Sequence, residues 1–232
     1  MSFLTAAQSA AARLIGRRPT TFFSSTSQFE IEIVDLANEV AADIVKRKDW
    51  RKLTKLKEMV GDGVTTGFDL PSDYDHLPTG MQVSVKEWTA WRYRAAADLN
   101  EWLDYVNGEP MVSPGAWIIL EEQMQFQPAI DSGQTAQYYY ISNNIVRAEN
   151  NVAKSSFTAD SDRMIYDERL LTLGLIWRWR AQKRLEYSED MANFENVLQE
   201  VAGEDKGASI LVARSGRWPF NSSQAYPWSL GT

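Results

Sequence analysis

The chain has 232 residues, with 24 basic against 31 acidic side chains, a net charge of −7 and no cysteine. The missing cysteine excludes a disulfide scaffold, a thiol nucleophile and a cysteine-ligated zinc site, and it fits folding in a reducing cytoplasm. The acidic balance is opposite in sign to that of a protein that grips nucleic acid by neutralising phosphates.

Hydrophobic residues make up 44% of the chain, enough for one domain with an insertion or two small ones. No apolar run approaches the roughly 20 residues that span a bilayer. The start, from Met1 to Gly16, is apolar, but Arg13, Arg17 and Arg18 follow the apolar stretch instead of preceding it. It reads as an amphipathic helix of the protein, not as a signal segment. Nine tryptophans are many for this length, enough to furnish a core and also interfaces with other proteins.

In chain order, residues 3–15 predict a helix with Leu4, Ala7, Ala11 and Leu14 on one face, ended by Gly16 and Pro19. Ser27 and Glu30 have the spacing of a capping box. A second helix follows, with Phe29, Ile33, Leu36, Ala37, Val40, Ala41 and Ile44 inward and Lys46, Arg47 and Lys48 at its negative end. Strands are expected over Leu53–Val60 and Val64–Leu70, joined through the turn Gly61-Asp62-Gly63. A loop at 71–75 precedes a strand over Met81–Val85.

Trp88, Trp91, Ala95, Leu99, Trp102 and Val106 are spaced 3, 4, 4, 3 and 4, which predicts a helix ended by Gly108-Glu109-Pro110. Strands follow at 117–120, 123–126 and 135–142. A helix is expected from Asp162 to about Arg184, with Asp162 at its N-cap. Another, capped by Ser188 and stopped at Gly203, carries Met191, Phe194, Val197, Leu198 and Val201 inward. The stretch from Glu204 has no amphipathic period.

The order is an α+β pattern: a helical bundle from N- and C-terminal helices, a mostly β insertion, and an extended C-terminal arm. The corresponding segments are 1–52, 53–158 with one helix, 159–203 and 204–232.

Catalytic and ligand-binding patterns are sparse. His76, the one histidine, reads as a solvated loop residue. The run 61–67 resembles a phosphate loop only in its glycines, lacks the Lys-Ser/Thr ending and falls between strands. Asp160, Asp162, Asp167 and Glu168 read as helix-start acids more readily than as a cation site. No catalytic residue, metal ligand or cofactor site is assigned. Trp177-Arg178-Trp179-Arg180 alternates ring and cation. On a helix the two rings point about 200° apart. One is expected to enter the core and the other to meet a neighbouring helix or subunit, so Trp177, Trp179 and Arg180 are candidate subunit contacts. Stacking on nucleic-acid bases is the competing use.

Several stretches then carry a likeness in their order: Leu36–Asp43 with Asp49-Trp50 and Leu53; Phe68–Asp75; the block ending near Tyr138–Ile141; Phe157–Asp162; Asp167–Arg180; and Tyr187–Phe194. Across roughly residues 15–205 the chain resembles the bacteriophage head–tail adaptor (connector, head-completion) family.

The resemblance implies a non-enzymatic virion protein of the head–tail junction, assembled in the host bacterial cytoplasm. It implies a ring of copies, expected to be a dodecamer, docked on the portal protein. Such a ring extends the DNA channel, through which double-stranded DNA passes without specific binding, and offers a surface to other tail or nozzle proteins. No membrane partner and no cofactor are implied. A ring subunit needs two different, complementary faces. An arm rich in aromatics can wrap a partner, and Arg214, Arg217, Trp218, Phe220, Tyr226 and Trp228 are the candidate partner-binding residues. The alternatives are a virion-associated cell-wall hydrolase and a nucleic-acid-binding accessory factor.

Overall fold

The computed structural model describes residues 2–88, 91–108 and 114–207. Its elements are helices α1 (Phe3–Ile15), α2 (Gln28–Arg47), α3 (Leu99–Val106), α4 (Glu168–Gln182) and α5 (Ser188–Lys206). The strands are β1 (Thr54–Val60), β2 (Gly67–Asp69), β3 (Tyr74–His76), β4 (Val83–Val85), β5 (Arg92–Ala95), β6 (Ala116–Leu120), β7 (Gln123–Gln127), β8 (Thr135–Ser142), β9 (Val146–Arg147), β10 (Ala153–Lys154) and β11 (Arg163–Met164). The α+β reading of the sequence holds.

Two hydrophobic cores organise the chain. The first is helical, because the apolar positions of four helices share one period and meet. Phe3, Ala6, Ala7, Ala10 and Ala11 of α1 join Ile33, Ala37, Val40, Ala41 and Ile44 of α2, Leu170, Leu171, Leu175 and Ile176 of α4, and Phe194 and Leu198 of α5. Helix α4 packs against α1, α2 and α5, and its seven successive buried residues from Leu170 to Ile176 are the consequence of being covered on several sides. Close approach of α2 and α4 needs Gly174, where an added Cβ would lie 2.5 Å from a Val40 methyl carbon.

The second core fills an eight-stranded sheet of order β1-β8-β4-β5-β6-β7-β2, with β3 paired to β8 beside that path. Met59, Val83, Val85, Tyr93, Trp117, Met124, Phe126, Ile130, Ala136, Tyr138 and Tyr140 are buried there. Strand β8 couples the two. Its Tyr138 and Tyr140 enter the β core, while Ile141 enters the helical core with Ile145, Val146 and Phe157. Trp50 and Leu53, at the junction before β1, also lie in the helical core. The Trp50 indole donates to the Ile44 carbonyl at 2.7 Å and its ring packs on Tyr166 at 4.4 Å.

Several expectations from the sequence are corrected. The helix predicted from Trp88 to Val106 is a strand followed by a shorter helix. Tyr93 is required in the sheet, where Trp88 stacks on it at 5.0 Å, and the backbone of Arg94 and Ala96 donates to Gly115 and Trp117. Asp98 then starts α3 by accepting from the amides of Asn100 and Glu101.

The predicted hairpin through Gly61-Asp62-Gly63 does not form. β1 pairs with β8 over seven residues, and the shorter β2 pairs with β7. The turn instead docks on the 130–134 loop: Gly61 and Gly63 donate to Gln134 and Ile130. A Cβ at Gly61 would lie 2.3 Å from the Ile130 carbonyl oxygen, so only glycine fits this approach.

Ser27 makes no side-chain cap, and Glu30 is buried beside Arg17 at 3.0 Å instead of closing a box. Asp162 is not an N-cap either; Asp167 caps α4 by accepting from the Arg169 amide. Ser188 is the first residue of α5, its amide held by the Glu186 carboxylate at 3.0 Å. That helix runs past Gly203 to Lys206 and ends at Gly207. The small sheet β10-β9-β11 carries no pattern long enough to read from sequence.

Candidate assembly surfaces

The polar residues singled out by sequence are engaged in structural bonds. His76 is not a solvated loop residue. It lies half-buried on β3, with Nδ1 2.6 Å from Asp75 and Nε2 3.3 Å from Asp49, and Asp49 also accepts from the Thr79 amide. Burial pushes the Asp49 carboxyl up, but those hydrogen bonds outweigh it and hold the group below the usual carboxylate range.

The acids at 160–168 disperse. Asp160 accepts from the Thr21 hydroxyl and the Phe22 amide. Asp162, buried, accepts from Lys154 Nζ at 2.6 Å and from the amides of Thr158 and Ala159. Burial raises its pKa, and the lysine and the two amides more than reverse that. Glu168 takes the Thr5 hydroxyl at 2.8 Å. Among the described residues, no group of three or more histidine, aspartate or glutamate side chains converges as metal ligands.

The two rings of 177–180 do point apart. Trp177 packs on Tyr187 and Phe194 of the α5 side, and its indole Nε1 is buried without a hydrogen-bond partner. Trp179 packs on Phe29 of α2 and donates to Glu32 at 3.2 Å. Arg180 pairs with Asp190, and Arg178 spans Glu39 and Asp43. All four side chains are half-buried. The candidate partner-binding residues Arg214, Arg217, Trp218, Phe220, Tyr226 and Trp228 lie outside the described residues.

What sequence reasoning missed is where apolar surface stays outside. On α3, Trp102 is buried while Leu99, Leu103 and Val106 are 62%, 56% and 52% exposed. They follow an i, i+4, i+7 spacing and so form one stripe. The periodicity was legible; its direction was not.

A second patch lies on the outer face of β1 and β8. Leu56 and Tyr139 stand directly opposite in register, and Val60 extends the row, all three exposed. The alternate residue Met59 enters the β core. A third patch, at the α4–α5 corner, exposes Leu185, Tyr187 and Met191. Among the described residues no helix is long and apolar enough to cross a membrane.

Polar groups are tied into the scaffold, and exposed apolar faces are left outside, as on surfaces that other proteins cover. The comparison with known families agrees: the sequence matches the family described as SU10 adaptor protein over residues 1–217. The chain belongs to that family, a phage head–tail adaptor family, and is a phage structural adaptor. No curated protein matches it.

Proposed function

We propose that this adaptor assembles at the head–tail junction of the virion as a closed ring of copies, twelvefold, docked on the portal protein. The ring extends the DNA channel and gives tail or nozzle proteins their attachment surface. The observation that carries this reading is the family match over nearly the whole chain. Exposed apolar faces on separate elements support it, because a ring interface joins two different patches. The net charge of −7 suits a channel wall that repels phosphates and lets duplex DNA slide.

In this proposal the N- and C-terminal helices (1–52 and 159–203) act together as one bundle, the 53–158 insertion as a second body and 204–232 as an extended arm. The α4–α5 corner near Trp177, Trp179 and Arg180 serves subunit contact, and Arg214, Arg217, Trp218, Phe220, Tyr226 and Trp228 anchor the arm on a partner. Assembly proceeds in the host cytoplasm.

The test mixes purified full-length protein with portal rings of the same phage and images the product by negative-stain electron microscopy. A second, stacked ring of twelve copies is expected. A chain that stays monomeric and separate from the portal overturns the reading.

A further inference from the structure

Strand β1 is an edge strand. It pairs with β8 along its whole length, and among the described residues no strand lies on its other side. The alternation of an antiparallel pair fixes which backbone groups face that open side. Gly61 continues the register and donates to Gln134, while Thr135, opposite Val60, gives its carbonyl to the Lys86 amide instead. Lys55, Lys57 and Met59 therefore bond to β8. Leu56, Glu58 and Val60 turn their N–H and C=O groups to the open edge, which is a template for one more strand. The charges of β1 do not block that edge. Lys55 is held by Asp73, which also takes the Tyr140 and Ser142 hydroxyls of β8, and Glu58 is held by Lys86 at 2.7 Å.

The described chain ends at the foot of this edge. Asp205, in the last turn of α5, accepts from the amides of Arg51 and Lys52. A Cβ at Gly207 would lie 3.9 Å from an Arg51 guanidinium nitrogen. Gly207, with φ 73 and ψ 174, turns the backbone out of the helix into an extended course that its missing side chain permits. Next in sequence come Ala208-Ser209-Ile210-Leu211-Val212-Ala213-Arg214, bounded by Gly207 and by Ser215-Gly216. A short apolar run between such breaks has the composition of a strand. At the strand rise it spans about 20 Å, the same as the seven residues of β1. Either parity brings apolar side chains, Ile210 and Val212 or Leu211 and Ala213, beside the exposed row of Leu56 and Val60. The family match also runs on through this stretch to residue 217.

We propose that residues 208–214 add to the open edge of their own chain's β1 as a parallel strand, entering beside Thr54 and leaving beside Val60. The tether decides for the same chain over a second copy. With Gly207 already beside Arg51, the segment faces this edge at an effective concentration of about millimolar. The arm proper then begins at Ser215, and Arg217, Trp218 and the aromatic residues beyond them depart from the Val60 end of the sheet. The assignment holds for a lone chain and does not rest on the ring.

The test is amide hydrogen exchange, read residue by residue by NMR on the full-length protein without portal. Slow exchange is expected at the outward amides of Leu56, Glu58 and Val60, as at the inward amides of Lys57 and Met59. Full-length Leu211→Pro/Val212→Pro removes a donor at either parity. It is expected to speed the outward amides at least about tenfold and to leave the inward ones slow. Leu211→Gly/Val212→Gly is a milder pair, with the same selective pattern expected.

Fast exchange at the outward amides of the wild type overturns the proposal. So does protection that survives both variants, or equal speeding of outward and inward amides in both. Finally, isotope-labelled proline variant is mixed with unlabelled wild type. Outward amides that stay fast on the labelled chain support the assignment. Protection regained there means that a second copy supplies the strand, and overturns it.

Discussion

Asp162 shows how one buried carboxylate can look like a helix cap or a metal ligand in sequence and be neither. It closes the loop before β11 by collecting Lys154 and two backbone amides, and its folded-state pKa lies below the ordinary 3.8. A depressed carboxylate pKa contributes stability that is present above the unfolded value and is lost as pH falls through the folded one. Asp162→Asn leaves Lys154 unpaired in a poorly solvated place, and a loss of roughly 2 kcal/mol is expected in urea unfolding at pH 7. The wild type's advantage over this variant should be complete above pH 3.8 and shrink on further acidification. An advantage that is independent of pH would sink the assignment. Gly174 is the other decisive residue. With Val40 already 2.5 Å from a hypothetical Cβ, Gly174→Ala forces α2 and α4 apart despite its better helix propensity. A destabilisation of about 1–3 kcal/mol is expected, read from thermal or urea melts.

At the scale of elements, α3 is informative because its buried and exposed residues separate two roles. Trp102 is its buried residue and α3 packs on β6. Truncation by Trp102→Ala should cost about 3 kcal/mol and loosen the helix from the sheet. Leu103→Ser, one position along and exposed, should change monomer stability by no more than about 0.5 kcal/mol while lowering ring yield. Circular dichroism melts and particle counts on the same preparations separate the two effects. The misread of 88–106 belongs at this scale as well. Apolar residues three and four apart satisfied a helical period across a strand, a bend and a helix. The strand was fixed by non-local partners, Val83 and Ser84 of β4 on one side and Ala116 and Trp117 of β6 on the other. The 61–63 turn failed for the same reason: seven residues of β1 found a longer partner in β8 than any local return strand offered.

At the scale of the whole molecule, two cores share strand β8, whose Tyr138 and Tyr140 enter one and Ile141 the other, so the halves are not independent in folding. Asp205 holds the amides of Arg51 and Lys52, and α5 ends at Lys206. Under the proposed adaptor reading, removal of residues 208–232 should abolish retention on portal rings in a pull-down. An unchanged pull-down would remove the arm from the binding account.

The amphipathic helices α1, α2 and α5 (the last read only as far as Gly203), the α+β order and the family likeness were determined by sequence alone, because a sustained 3.6-residue period and local composition need no partner to be read. Trp177 and Trp179 were likewise placed on opposite sides by helical geometry before any contact was known. The tertiary structure decided which strands pair, where the short sheet β10-β9-β11 forms, and that His76 sits between two carboxylates. It also turned the α3 stripe outward. Each of these depends on residues distant in the chain, and periodicity reports that one face is apolar without saying whether the protein itself covers it.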